Sequence, residues 1–590
     1  MNDLLLLSAM LELSEKLVSW LTPLWLLGVG VVLGLVTFLV IWAVAAVISR
    51  LGPIGRIGED RGRTVRWATV LTLVLGSIGI GLLATKQWDN LVGGNEGSTL
   101  AALGRLVSLA LPGLVALWLG IFGFLMLVWR RTVQEIPQAI IEGVLWPVLV
   151  AATFLVGFGF MGFFATEKPV DILKTLGRLN AVGTSVHEFS LKASPEVEEA
   201  DVPLQARPVP FRYSEIVSLS VRTDQRITVT RDSASSESFG QSVEVLPEED
   251  FEVSLVALLS GSEGGDVIEQ LHFGNPSSTE AQVKVTVRTA VVYPQVWVIP
   301  WTAGCLVFLF LLYIVQRVAF PRLSAVALST YKSEVAQPLF SMLLGIGALA
   351  LILFIWIPYN TFGEDIKMLK DTGLTLIMVL SILLALWAAS TSVSEEIEGR
   401  TALTVLSKPL TRRSFVLGKF VGITWTVALM FIVLGVVFIL VVAYKPIFDA
   451  KENTTATPPW QLCFQEMMHV VPGLLLAFME TVVLTALSVA ISTRLPLLAN
   501  FTICLSIYAL GHLTPMIVQS SMGSFPIVGF FGQLIATVFP NLDHFNMQAA
   551  VAAGVGVPSA YLGWAFIYCL IYTVIAVLLA LVMFEDRDLA

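Results

Sequence analysis

Charge is scarce in this 590-residue chain: Asp, Glu, Lys and Arg make up 13% of it, against 56% apolar residues and a mean hydropathy of +0.81. A soluble globule of that composition would be covered in exposed apolar surface, so the solvent that suits it is lipid. Cysteine is scarce too. Cys305, Cys463, Cys504 and Cys569 lie in or beside hydrophobic runs, and their spacing fits neither a disulfide framework nor a metal-ligand set. His187, His272, His469, His512 and His544 are scattered along the chain, so no metal site is expected. No GxxxxGK[ST] phosphate loop occurs, and no Ser/His/Asp or Cys/His arrangement has a recognisable spacing, so neither ATP hydrolysis nor covalent catalysis has a candidate. The net charge of -9 is spread over loops and one polar block rather than one face, which argues against a nucleic-acid partner.

What the sequence has in abundance is long uncharged runs. A bilayer core of about 30 Å needs roughly 20 apolar residues per helix. Eleven runs qualify, near 24–48, 67–85, 107–129, 145–164, 296–316, 338–357, 373–391, 417–444, 468–493, 496–519 and 558–583. The expected fold class is therefore an all-α polytopic membrane protein of about eleven transmembrane helices. Residues 1–20 are leucine-rich, but Asp3, Glu12, Glu15 and Lys16 interrupt them, which favours an amphipathic surface helix over a signal peptide.

Short loops rich in Lys and Arg stay in the cytoplasm. Arg50, Arg56, Arg61, Arg63 and Arg66 follow the first run, and Arg130 and Arg131 follow the third. Counting onward puts Arg317, Arg322 and Lys332, then Arg400, Lys408, Arg412, Arg413 and Lys419, then Arg494, on the same side. Residues 520–557, which fall on the other side, contain no Lys or Arg. The expected topology in a bacterial inner membrane has the N-terminus outside and the C-terminus cytoplasmic.

Residues 165–295 are then extracytoplasmic, and their pattern changes from long runs to alternation: EIVSLSVR (215–222), RITVT (226–230), FEVSLVALL (251–259) and AQVKVTVRTAVV (281–292). Period 2 with β-branched residues reads as strands, and the Gly, Ser, Asn and Pro between them as turns. An all-β, sandwich-like insert is expected. It either captures a ligand or partner, or serves as an assembly appendage; no cluster of His, Asp or Glu decides between them.

Two glycine patterns read as packing. GFGFMG (157–162) matches a dinucleotide fingerprint, yet it lies inside a hydrophobic run with no preceding strand, and Gly30 and Gly34 form a small-xxx-small face. Glu480 sits near the middle of the ninth run, in LLLAFMETVVL. A carboxylate at that depth is costly unless protonated, paired or wetted, so Glu480 is either a polar point on a substrate path or a contact to a neighbouring helix.

Between the seventh and eighth runs lies STSVSEEIEGRTALTVLSKPLTRRSFVLGKF (390–420). Ser392 followed by Glu395 fits a capping box, and Pro409 disfavours helix at Lys408. Between them Ile397, Leu403 and Leu406 can form an apolar stripe with Glu396, Glu398 and Arg400 facing elsewhere. A short cytoplasmic helix at 393–406 is expected, followed by a new helix start at Thr411 or Ser414.

These residues resemble the cytoplasmic signature of the ABC type-2 permease family, of the kind associated with copper-processing and gliding-motility exporters. The resemblance extends over about 321–590, from PRLSAVALSTYKSE through FPNLDHFN (539–546) to FEDRDL (584–589). It implies a six-span permease domain whose helix at 393–406 docks in a cleft of a separate ATP-binding cassette ATPase subunit. By position, Glu395, Glu396, Glu398 and Thr401 would face that cleft or its rim, and Arg412 and Arg413 would anchor the loop at the membrane surface; ordinary positive-inside residues are the alternative for the arginines. ATP would be bound by the partner subunit and no cofactor by this chain, and a permease homodimer or heterodimer would line one path.

The expected organisation is thus an N-terminal membrane region (1–164), the β insert (165–295), a fifth span (296–320) and the permease domain (321–590). The resemblance explains none of the first half, which either shapes the substrate route or recruits a periplasmic partner. The expected function is the membrane subunit of an ATP-driven transporter, not an enzyme. The rival is a membrane-anchored scaffold or receptor whose β insert binds an envelope partner.

Overall fold

A computed structural model describes all residues except 1, 52–53, 93–98, 180, 194–202, 231–242, 248–250, 253–266, 358–363, 397–410, 522–529, 531–533, 535–538 and 586–590. The chain divides into two compact units, residues 1–166 with 299–590, and residues 167–298.

The first unit is helical because lipid offers no partner to a backbone N–H or C=O, so each spanning segment must satisfy its own. Its helices are α1 Asn2–Ser49, α2 Arg61–Val92, α3 Thr99–Val128, α4 Arg130–Glu142 and α5 Leu145–Ala165. After the insert follow α6 Val298–Ala319, α7 Pro321–Ala336, α8 Pro338–Leu353 and α9 Asp365–Ala389. The last four are α10 Arg412–Glu452, α11 Trp460–Ser492, α12 Leu497–Ser521 and α13 Ser559–Glu585. All eleven hydrophobic runs fall on these helices. Among the described residues, seven helices are long and apolar enough to cross a membrane, or nine if two bent pairs each count as one span. The runs on α2 and α12, whose described apolar parts are short, make up the difference. The bends are sharp: α3 turns into α4 by 87° and α7 into α8 by 63°. At the second, Gln337 is extended before Pro338, as the proline ring requires of its predecessor.

Residues 2–20 are helical, as expected of an amphipathic surface helix, and no break separates them from the first span. α1 continues unbroken from Asn2 through Pro23 to Ser49. Its early part is held by long-range contacts: Ser19 Oγ donates to Pro458 O at 2.7 Å, and Trp20 Nε1 to Leu440 O at 3.3 Å.

Glycines set the closest helix approaches. Gly28 on α1 meets Gly159 on α5 so closely that a Cβ on either would stand 3.1 Å from the other's Cα. Gly162 likewise faces the Leu21 carbonyl, so GFGFMG is a packing surface, as expected. On another face of α1, Gly30 and Gly34 abut Ile299, Thr302 and Ala303 of α6. Hence α1 is gripped between α5 and α6, and one continuous apolar core joins Phe38 and Leu127 from the first half to α9, α10 and α11 from the second.

The second unit is a β-sandwich. Its strands are β1 Thr184–Leu191, β2 Gln205–Arg212, β3 Ile216–Thr223, β4 Ile227–Thr230, β5 Val243–Val245, β6 Phe251–Glu252, β7 Val267–Gly274 and β8 Ala281–Thr289. They form two antiparallel four-stranded sheets, ordered β1-β8-β3-β6 and β2-β7-β4-β5. Period 2 sends Leu219, Val221, Val283, Val285 and Val287 from one sheet, and Ile227, Val229, Leu271 and Phe273 from the other, into a single core. Asn275 holds the GNPSS turn, donating to Leu191 O and Thr279 O and accepting from Ser277 N. Glu215 is buried and pairs with Arg178. The expected strands at 215–222, 226–230 and 281–292 are present; of 251–259 only Phe251–Glu252 is a described strand, and the rest lies outside the described residues.

α7 and α10 provide a test of the packing. A Cβ at Gly422 would lie 2.6 Å from Ala327 O and 2.7 Å from Thr330 Cβ, whereas at Gly435 on the same helix it would meet Leu474 at an ordinary 3.5 Å. Gly422→Ala is expected to destabilise the protein by about 1–3 kcal/mol through overpacking, and Gly435→Ala to leave it unchanged or stabilise it by up to about 1 kcal/mol. Thermal unfolding in detergent measures both.

Candidate functional site: the loop anchors and the buried charges

The seventh run does not end where the capping box predicted. α9 passes into a π turn, Ser390–Glu395, and Ser392 is buried inside it rather than capping a new helix. The hydroxyls explain the continuation: Ser390 Oγ donates to Leu386 O at 2.9 Å and Thr391 Oγ1 to Trp387 O at 3.0 Å, both within the helix. The wide turn is clamped from the side. Asn500 of α12 is fully buried, with Nδ2 2.8 Å from Ser390 Oγ and 2.7 Å from Ser488 Oγ of α11, and it accepts from Cys504 Sγ at 3.3 Å. Ser394 Oγ donates to Leu495 O at 3.1 Å.

After Glu396, residues 397–410, with Glu398, Thr401 and most of the expected 393–406 helix, lie outside the described residues. Glu395 is the last residue of the π turn. Both ends of the loop are anchored. Glu396 Oε1 accepts from Lys419 Nζ at 2.5 Å, tying the end of α9 to the second turn of α10, with Lys419 over the Phe415 ring. Phe415 stacks on Phe584 of α13 with centroids 5.7 Å apart. Arg412 Nη1 donates to Glu585 O at 2.8 Å, and Arg413 beside it is exposed. Thr411 caps α10 by accepting from Ser414 N at 3.2 Å, the start expected from sequence. Glu396 thus faces a lysine of its own chain, which sequence spacing alone did not indicate.

Glu480 is buried on α11 and faces α12, with Oε1 3.5 Å from His512 Nε2. His512 Nδ1 lies 3.1 Å from Tyr508 O, and because a carbonyl only accepts, Nδ1 carries the hydrogen. In the neutral ring Nε2 is then an acceptor, so contact between the two groups requires a proton on one or the other. The geometry sets Glu480 against a neighbouring helix.

At the opposite end of the same helices lie charges that the sequence reading did not single out. Lys370 of α9 is fully buried and pairs with Glu466 of α11. Lys445 of α10, also buried, bonds Ile355 O at 3.2 Å and Asp449 at 2.9 Å. Asp365, Asp449 and Glu452 bring carboxylate oxygens within 4.8 Å of one another, a grouping able to hold a cation, and Lys445 already supplies positive charge to it. Neither stood out in sequence, because Lys370 lies ahead of the 373–391 run beside Lys367 and Asp371, and Lys445 directly follows the 417–444 run.

Residues 300–589, which begin within α6 and take in every feature above, match the family described as ABC-2 family transporter protein. The matched half is an ABC-2 transporter permease. No curated protein matches the chain. The match starts ahead of the 321 boundary expected from sequence, so α6 belongs with the permease, and the α1–α5 helices pack on that permease within one compact unit.

The buried pairs carry a testable cost. Lys370→Met strands Glu466 without its cation and is expected to destabilise the permease by about 3–5 kcal/mol, while Lys370→Met with Glu466→Met recovers most of the loss. Unfolding of the two variants in detergent distinguishes them. Asn500→Leu, which leaves two serine hydroxyls without a common donor, is expected to cost about 1–3 kcal/mol by the same measurement.

Proposed function

We propose that this permease works with a separate ATP-binding cassette ATPase, which docks on the segment between Glu395 and Thr411 and drives the opening of a path through α7–α13. The observation that carries this reading is that both ends of an otherwise short polar segment are fixed to the membrane helices. Glu396–Lys419 and Asn500–Ser390 hold the incoming end, and Arg412–Glu585 and the Thr411 cap hold the outgoing end. A force that reaches these anchors acts on α9, α10, α12 and α13.

In this reading the chain is not itself an enzyme and binds no cofactor; ATP belongs to the partner. Two permease chains, identical or paired with a related one, line the path. The basic loops place the N-terminus outside and the C-terminus in the cytoplasm of an inner membrane, with the β-sandwich outside, where it receives a periplasmic partner or substrate. Buried ion pairs favour the transporter over a mere anchor: helices that only tether a soluble head have no use for ions that cost free energy to bury.

Glu396 is committed to Lys419, so Glu395 and Glu398 are the acidic residues left to contact the ATPase. Reversing both to Lys is expected to abolish co-purification with the co-expressed ATPase while leaving the permease's own unfolding temperature within about 2–4 °C of wild type. Undiminished co-purification would remove the docking assignment, though not the family membership.

A further inference from the structure

Where α3 bends by 87° at Trp129, the polypeptide stops crossing the membrane and turns sideways. α4 continues as RRTVQEIPQAIIE with Ile136 and Ala139 buried beneath it and charges on its other side, the pattern of a helix lying in the interface. The last turn of α6 and the first of α7 meet it there. Between them is a pocket of about 110 Å³ whose lining sets Arg131 and Arg317 with the carboxylates Glu59 and Glu135, beside Trp129 and Pro321.

Three features make it a receptor for an oxyanion attached to a hydrocarbon tail. Arg317 is half-buried, and its Nη1 is shut off from solvent with no hydrogen-bond partner among the described residues. A guanidinium N–H left in that state costs free energy, which a small turn of the side chain toward an entering phosphate oxygen would recover. Pro321 opens the 16-residue α7, whose preceding residue Phe320 provides no side-chain cap, so the positive end of that helix is presented beside the pocket. Arg131 adds a second guanidinium; it binds Glu135 at 2.7 Å, which neutralises that carboxylate, and it lies over the Trp129 ring. Met126 and Val318 give the same pocket an apolar wall on the side of the helix bodies, and Trp129 is the residue type that favours headgroup depth.

We propose that this pocket binds the headgroup phosphate of an anionic phospholipid, seated between the N-terminal helices and the start of the permease. A lipid is the occupant rather than a soluble anion because the pocket lies where α3 turns by 87° into the interfacial helix α4, beside Trp129 at headgroup depth. Basic pockets between transmembrane helices are where such headgroups are held.

The test uses the full-length protein in mild detergent, equilibrated with equal amounts of phosphatidylglycerol and phosphatidylcholine and examined by native mass spectrometry. Wild type is expected to retain one phosphatidylglycerol over phosphatidylcholine by roughly tenfold, a preference that Arg317→Gln reduces to near parity and Arg317→Lys partly keeps. If Arg317→Gln does not fold, Arg131→Gln is expected to show a several-fold loss. Equal retention of both lipids by wild type, or an undiminished preference in Arg317→Gln, overturns the proposal. Displacement of the phosphatidylglycerol adduct by millimolar inorganic phosphate would overturn the lipid as occupant and assign the pocket to a free anion.

Discussion

Lipid supplies neither hydrogen bonds nor counter-charges, so the charged groups that enter the first unit are stabilised chiefly by partners on the chain itself. That constraint organises the permease. Lys370 meets Glu466, Lys445 meets Asp449 and the Ile355 carbonyl, Lys419 meets Glu396, and Asn500 gathers two serines. Each pair joins different helices or pins a helix end, so the polar groups fix relative position while the apolar surface supplies the bulk of the packing. The ions sit towards the two ends of the bundle, and Glu480 with His512 lies between them.

How much of this could be read from residues alone follows from the range of the forces involved. Helix existence was legible because hydropathy over twenty residues is a local property, and the glycine faces at Gly30 and Gly34 and in GFGFMG were legible because only small residues allow such approach. The π turn was not. SVSE satisfies the capping pattern equally well in a helix that starts and in one that continues, and what decides is Asn500, a hundred residues away in sequence. The partner of Glu396 was hidden for the same reason. In the sandwich, β2 escaped notice because QARPVPFR carries two prolines, which argue against a strand unless the register shifts, as it does between Pro208 and Phe211. β1 was missed because it is an edge strand, largely exposed, with little alternation to detect.

The relation between the halves was also beyond sequence reading. The permease resemblance stopped short of the first five spans, yet α1 contributes to the same core as α9–α11 and reaches Pro458 and Leu440 directly. The N-terminal helices are thus a structural part of the permease wall in this chain, and the lipid pocket lies at their common border.

The glycine grip on α1 has a consequence for biogenesis. Its faces are complementary to α5, made soon after it, and to α6, which the ribosome delivers only after the whole sandwich has been synthesised. Until then the newly inserted helix displays Gly30 and Gly34 to the bilayer with nothing seated against them, and the permease core cannot close. Maturation of the membrane half must therefore wait on synthesis of the sandwich, and a stall there would leave a half-built bundle for quality-control proteases to recognise.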